Sequence, residues 1–232
     1  MAEETKKKGK PSAEEIAARK AAKQKKETAE EETAPVETDQ PAPTPRLLEK
    51  YRKEIVPALQ QKFGLKNVMA VPRLEKVVIS MGLGRFAVAG GEGKANFEKA
   101  EKELAVIAGQ KPVRCRAKKS VANFKVRQGM ETGLKVTLRG ARMYEFVDRM
   151  ITLAIPRVKD FRGLSTKGFD RNGNYNFGFT EQTVFPEVEG AEVTFQQGMN
   201  ITMVTTAKNV EHGRELLRQL GMPFQDMEKK GA

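Results

Sequence analysis

The nine residues Thr132–Gly140, TGLKVTLRG, alternate through their middle without a break. Leu134, Val136 and Leu138 fall on one side, and Lys135, Thr137 and Arg139 fall on the other. A period of two belongs to a β-strand, whose successive side chains leave opposite faces of a sheet. One of those faces is apolar and has to be covered. The other is cationic and hydroxylated, and it faces water or a partner. A strand patterned this way predicts an antiparallel sheet covered on one side only, because parallel sheets are buried on both.

The rest of the chain supplies the cover. Leu47, Leu48, Tyr51, Ile55, Leu59 and Phe63 recur at helical spacing, with Gly64 as the stop and Pro57 as a point of kinking or division. LEKVVIS, Leu74–Ser80, reads as a strand. A glycine-rich loop is expected next, and then a helix over about 96–108 ended by Gly109. After the opening stretch, Met143, Phe146, Val147, Met150, Ile151 and Ala154 form a helical stripe that ends at Pro156. NYNFGFTEQTVF alternates again behind the turn signal RNGN, and MNITMVTTA is a further strand. A last helix carries Val210, Leu216, Leu217 and Leu220 and is closed by Gly221 and Pro223. The predicted class is α+β: a mainly antiparallel sheet with helices on one face, forming a single domain over residues 46–232. Residues 1–45 have no aromatic side chain and only Ile16 and Val36 as large aliphatics. Such a segment cannot offset its ordering entropy, so a disordered tail is expected, charged at first and Pro-rich at PVETDQPAPTP.

Charge is distributed unevenly. The chain has 232 residues and a formal net charge of +12. Residues 110–142 hold ten Lys or Arg against the single acid Glu131. Within that window RCRAKKSVANFKVRQG, Arg114–Gly129, has six cations and no acid. Clustered cations repel one another unless a partner of opposite sign is present, so the window points to a polyanion. With its weak alternation the stretch reads as a long hairpin arm reaching beyond the body. Its only aromatic, Phe124, is too little for a stacking platform and is expected to anchor the hairpin instead. An acidic membrane surface fits less well, since no basic amphipathic helix with bulky apolar residues occurs here. The basic run 6–10 reads as part of a solvated tail.

Other chemistries find little support. Cys115 and His212 are the only residues of their types, so neither an intrachain disulfide nor a zinc site of several Cys or His ligands can form. The missing disulfide fits a reducing cytosol. No His stands near Cys115 in sequence to act as a base, and His212 reads as a surface residue of the last helix. The alternative is a nucleotide-dependent enzyme: Gly82, Gly84 and Ala87 in MGLGRFAVAGGEGK match G-x-G-x-x-A after a strand. The acid that should follow falls at Glu101 or Glu103, inside a predicted helix. A P-loop needs its first Gly where Val88 stands and Ser or Thr where Ala95 stands. No cofactor, metal or catalytic residue is expected. RNA binding through shape and backbone is the reading the residues favour.

VMAVPRLEKVVISMGLG, AGQKPVRCRAKKSVANFKVRQG, KVTLRGARMYEFVDRMITLAIPRVKDFRGLS, GNYNFGFTEQTVFPEV and ITMVTTAK together resemble the bacterial ribosomal protein L-five family, from about Arg46 to Phe224. The resemblance implies a non-enzymatic, cytoplasmic, ribosome-bound protein that holds 5S rRNA in the central protuberance, beside 23S rRNA and neighbouring proteins. It also implies contact with P-site tRNA and a bridge to the small-subunit head protein thirteen. The family's 5S-binding positions fall on Ser80, Gln110, Thr137 and Arg139, with Lys135 close to the last two on the same face. Its tRNA-reaching arm falls on Arg116, Lys118, Lys119, Lys125 and Arg127, and bridge contacts fall within DFRGLSTKGFDRNGNY. The family usually has Asn where Ser80 stands and Gly where Asn123 stands; Asn tolerates a left-handed backbone, so it can keep the turn.

Overall fold

A computed structural model describes residues 43–188 and 195–225; most of the expected tail, residues 1–42, lies outside them. The opening stretch forms β3 (Glu131–Leu138), with Leu134, Val136 and Leu138 buried and Lys135 exposed. It pairs with β1 (Leu74–Gly82) and β2 (Val113–Arg116), and β1 pairs on its other edge with β5 (Met199–Thr205), which pairs with β4 (Tyr175–Phe179). The sheet order is β2-β3-β1-β5-β4 and every pairing is antiparallel.

Among the described residues, five helical segments longer than a single 3₁₀ turn accompany the sheet. α1 spans residues 46–63, α2 is Gly84–Val88, α3 is Gly91–Ala108, α4 spans 140–157 and α5 is Val210–Gln219. The first anchors of the body precede α1: Pro45 is buried, and the Thr44 hydroxyl donates to Glu49. With Lys53, that hydroxyl holds the Glu49 carboxyl below its ordinary value. α1 and α4 each contain one π turn, Tyr51–Ile55 and Met150–Ala154. Each π turn ends just ahead of a proline, Pro57 and Pro156 respectively. Proline removes one i→i−4 bond and its ring crowds the carbonyl one turn back; a widened turn relieves both without ending the helix. α4 therefore continues to Arg157 in a 3₁₀ turn, past the proline at which the stripe was expected to stop.

Helices cover the apolar side. α4 packs on β1 and α3 on β3, over a core that includes Val77, Ile79, Leu134, Val136, Leu138, Ile201 and Met203. Phe146 and Phe185 stack there with centroids 5.9 Å apart. A second aromatic group surrounds Tyr175, which is 0% exposed, contacts Phe169, Phe177 and Phe224, and donates its hydroxyl to the Ser165 carbonyl at 2.9 Å.

The expected glycine-rich loop is mostly helical. α2 and α3 meet across Gly90, whose φ of 79° makes the turn between them. A Cβ on Gly93 would stand 1.9 Å from the Phe86 carbonyl oxygen. That glycine is required because the first turn of α3 lies directly on α2, a contact that composition alone cannot reveal. The dinucleotide reading also loses its context, because β1 lies between two antiparallel neighbours rather than in a βαβ unit.

Candidate nucleic-acid interface

The side of the sheet away from the core is built in rows. Register places Ser80 opposite Lys135 on one edge and opposite Asn200 on the other, with Gly178 beyond Asn200. The next row runs Thr137, Val78, Thr202 and Asn176. Lys76 lies opposite Val204, at the end of the sheet where Arg139 leaves β3 in extended conformation. None of these residues is buried, and every charge among them is positive. Gln110 is exposed on the turn leading into β2, just past the left-handed Gly109 that ends α3. The structure thus brings Ser80, Lys135 and Thr137 onto one surface, with Arg139 at its end and Gln110 on the adjoining turn.

Lys76, Asn200 and Thr202 share that surface and were missed from the sequence. The alternation of MNITMVT marks Asn200 and Thr202 as outward-facing. Nothing local says that β5 is the neighbour of β1, so the juxtaposition with Ser80 emerges only from the register.

The arm between β2 and β3 is a narrow hairpin. Ala117 N–H donates to the Met130 carbonyl at 2.8 Å, and Gly129 N–H donates to the Ala117 carbonyl at 3.0 Å. Farther out, Val121 and Val126 exchange both backbone bonds at 2.9 and 3.2 Å. Gln128 N–H donates to the Ser120 hydroxyl at 2.9 Å. The tip is a 3₁₀ turn, Ala122–Phe124, followed by Lys125 at φ 53°. The left-handed residue is therefore Lys125; Asn123 sits within the turn and does not need that conformation.

The six cations of the arm stretch divide into two groups. Arg114 belongs to the body: it pairs with Glu101 and Glu131 and lies over the Phe97 ring at 5.7 Å. Hydrogen bonding to Glu101 is the main influence raising its pKa. Arg116, at the base of the arm, reaches Glu131 at 3.7 Å. Lys118, Lys119, Lys125 and Arg127 are exposed, and none has a carboxylate partner among the described residues. These four make the arm's free positive charge. A cleft of about 420 Å³ lies beside the arm's base between Phe86, Phe97, Arg114 and Glu131, where Arg114 and Glu131 already pair with each other.

Two side chains differ from expectation. Phe124 does not anchor the hairpin: it is 70% exposed. The arm is too thin to enclose a ring, and the short cross-strand bonds of Val121 and Val126 close the tip without it. His212 is half-buried, its ring 4.0 Å from that of Phe63 between α1 and α5, where Lys62 also pairs with Glu215.

Comparison with known proteins gives a consistent result. Residues 67–127 match the family described as Ribosomal protein L5, and residues 131–224 match the model of that ribosomal family's C-terminus. The chain is 56% identical over 179 residues to the large ribosomal subunit protein uL5 of Alkaliphilus metalliredigens, covering 77% of this chain and 98% of that one. It is 56% identical over 180 residues to the protein of the same name from Clostridium tetani, covering 78% and 98% respectively.

Proposed function

From the premise that this chain belongs to the ribosomal protein L5 family of the large subunit, we propose that its open sheet face binds 5S rRNA and that its basic arm contacts P-site tRNA. One observation carries the first assignment: the register gathers Ser80, Lys135 and Thr137 on a single exposed surface, with the cation Arg139 at its end. Hydroxyls and a guanidinium carried on a stiff sheet can make hydrogen bonds of set geometry to a partner that stays bound. The arm suits a partner that comes and goes. Its free cations, Lys118, Lys119, Lys125 and Arg127, offer modest, sequence-independent contacts to phosphate, while Arg116 divides its charge between the arm and Glu131.

On this reading the protein is a structural constituent of the cytoplasmic ribosome rather than an enzyme. It helps to attach 5S rRNA in the central protuberance, next to 23S rRNA and neighbouring proteins. The bridge to the small-subunit head protein thirteen falls to residues 160–175. That segment is pinned by Leu164 against Phe224 and by an Asx turn in which Asp170 accepts the N–H groups of Asn172 and Asn174.

Binding of the chain to 5S rRNA should weaken steeply with salt. For roughly 4–6 phosphate contacts, a plot of log K against log[salt] should fall with a slope of about −3 to −5. Filter binding across a salt series measures it, and a slope near zero would rule out backbone contact by this face. The domain over residues 46–232 should also stand without the preceding segment. Deleting residues 1–42, which contain Ile16 and Val36 as their only large aliphatics, should leave the thermal midpoint within a few degrees. The cut spares Thr44 and Pro45 because both contact the body. A larger fall in calorimetry would place part of the segment within the cooperative fold.

A further inference from the structure

Nine large hydrophobic side chains are exposed among the described residues, and Phe124 is the only aromatic one. Isolated exposed apolar residues are ordinary on any surface, so exposure alone means little. Position is what sets this one apart. Phe124 sits at the outermost turn of a strongly cationic arm, where Val121 is the other exposed large hydrophobic among the described residues, and no other aromatic ring contacts it among them. The tip is fixed behind it. The paired backbone bonds of Val121 and Val126, the Lys125 N–H bond to the Ala122 carbonyl at 3.0 Å and the left-handed Lys125 define one turn that presents the ring outward. A non-glycine residue in that conformation costs free energy, and here the cost goes to a turn that exposes an aromatic side chain. A ring that is already exposed, on a backbone already set by the turn, gives up no packing and no backbone freedom on binding.

Four cations without a carboxylate partner among the described residues, Lys118, Lys119, Lys125 and Arg127, flank the ring. They favour a polyanion, and the one flat apolar surface that a polyanionic RNA offers is the face of a nucleobase. We infer that Phe124 stacks on an accessible nucleobase of the RNA met by the arm, so that the tip combines one shape-specific stacking contact with sequence-independent phosphate contacts. This rests on the reading of the arm as the tRNA-contacting element and adds to it the chemistry of the contact.

The test uses ribosomes assembled with Phe124→Ala, Phe124→Leu, Phe124→Trp or the Lys118→Ala/Lys119→Ala pair, and measures dissociation of deacylated tRNA from the P site. Stacking predicts that Phe124→Ala speeds release by about 10-fold, within the range for loss of one base–aromatic contact. Phe124→Leu should be nearly as impaired, because it keeps apolar bulk but no flat ring, and Phe124→Trp should hold tRNA at least as well as the parent. The salt dependence should be unchanged in Phe124→Ala and shallower in the lysine pair. Full rescue by Leu would overturn stacking in favour of simple apolar burial, as in a protein pocket. Normal release from Phe124→Ala with fast release from the lysine pair would overturn the Phe124 inference and leave the arm's assignment standing. Normal release from both would overturn the two together. The chain has no Trp of its own, so Phe124→Trp also gives the free protein a single reporter. Its emission should be quenched when purified tRNA is added at low salt, and an unquenched, blue-shifted emission would contradict stacking.

Discussion

Reversing two charges on the open sheet face, Lys135→Glu with Arg139→Glu, should lower affinity for 5S rRNA by more than about 100-fold while leaving the fold intact. Each wild-type cation is worth roughly 1–3 kcal/mol to bound RNA, and each reversal replaces attraction with repulsion. The loss should shrink as salt rises, and the salt slope should fall by about 2. Neither residue has a carboxylate partner among the described residues, and both are exposed, so no internal ion pair is broken. Surface substitutions of this kind change stability by about 0.5 kcal/mol or less. Filter binding and a thermal melt on the same preparation separate the two quantities. A parallel fall in midpoint would make the binding loss a folding defect.

The largest expected effect on stability is at Tyr175. Tyr175→Ala empties the centre of the second aromatic group and should cost about 3–5 kcal/mol. For a domain of this size that lowers the midpoint by about 10 °C. Tyr175→Phe keeps the packing and deprives the Ser165 carbonyl of its donor, at about 0.5–1.5 kcal/mol, since Ser165 is exposed and water can take the donor's place. Burial pushes the Tyr175 phenol up to about 12. A pKa raised by folding gives stability that is fully present below the unfolded value near 10 and is lost as pH climbs towards 12. The stability gap between the parent and Tyr175→Phe should therefore narrow over that interval in denaturant titrations at stepped pH. A gap that stays constant would mean that the hydroxyl does not titrate as a buried group.

How far the sequence discloses this molecule differs from element to element. TGLKVTLRG can be read outright, because strand periodicity and a sharp apolar/cationic split coincide, and the structure keeps every inward and outward assignment in it. The helix over 96–108 and its stop at Gly109 were legible for a similar reason, since a left-handed C-terminus favours glycine. The segment around GLGRFAVAGGEGK was not. Its glycines suggest a loop, yet Gly93 is there because a carbonyl of α2 lies against the first turn of α3. That constraint is tertiary and leaves no local pattern. The candidate interface divides in the same way. Ser80, Thr137 and Arg139 could be named from resemblance and alternation, but the row that adds Asn200 depends on β5 crossing to the far edge of β1. Arg114 counted as arm charge until its pairing with Glu101 and Glu131 placed it in the body. Phe124 was misplaced because a lone aromatic in a hairpin usually packs, whereas this hairpin has no second layer for it to pack against.

The division of RNA between a fixed sheet face and a projecting arm is tested most directly by building large subunits with Arg139→Ala or with Lys118→Ala/Lys119→Ala. The retained 5S rRNA and the rate of P-site tRNA release are then quantified in the same preparations. Arg139→Ala should reduce 5S rRNA binding and incorporation of the protein into the subunit. The lysine pair should incorporate normally, keep 5S rRNA at parental stoichiometry and release tRNA faster. Equal loss of 5S rRNA from both would contradict the division and show instead one continuous RNA surface running from the sheet onto the arm.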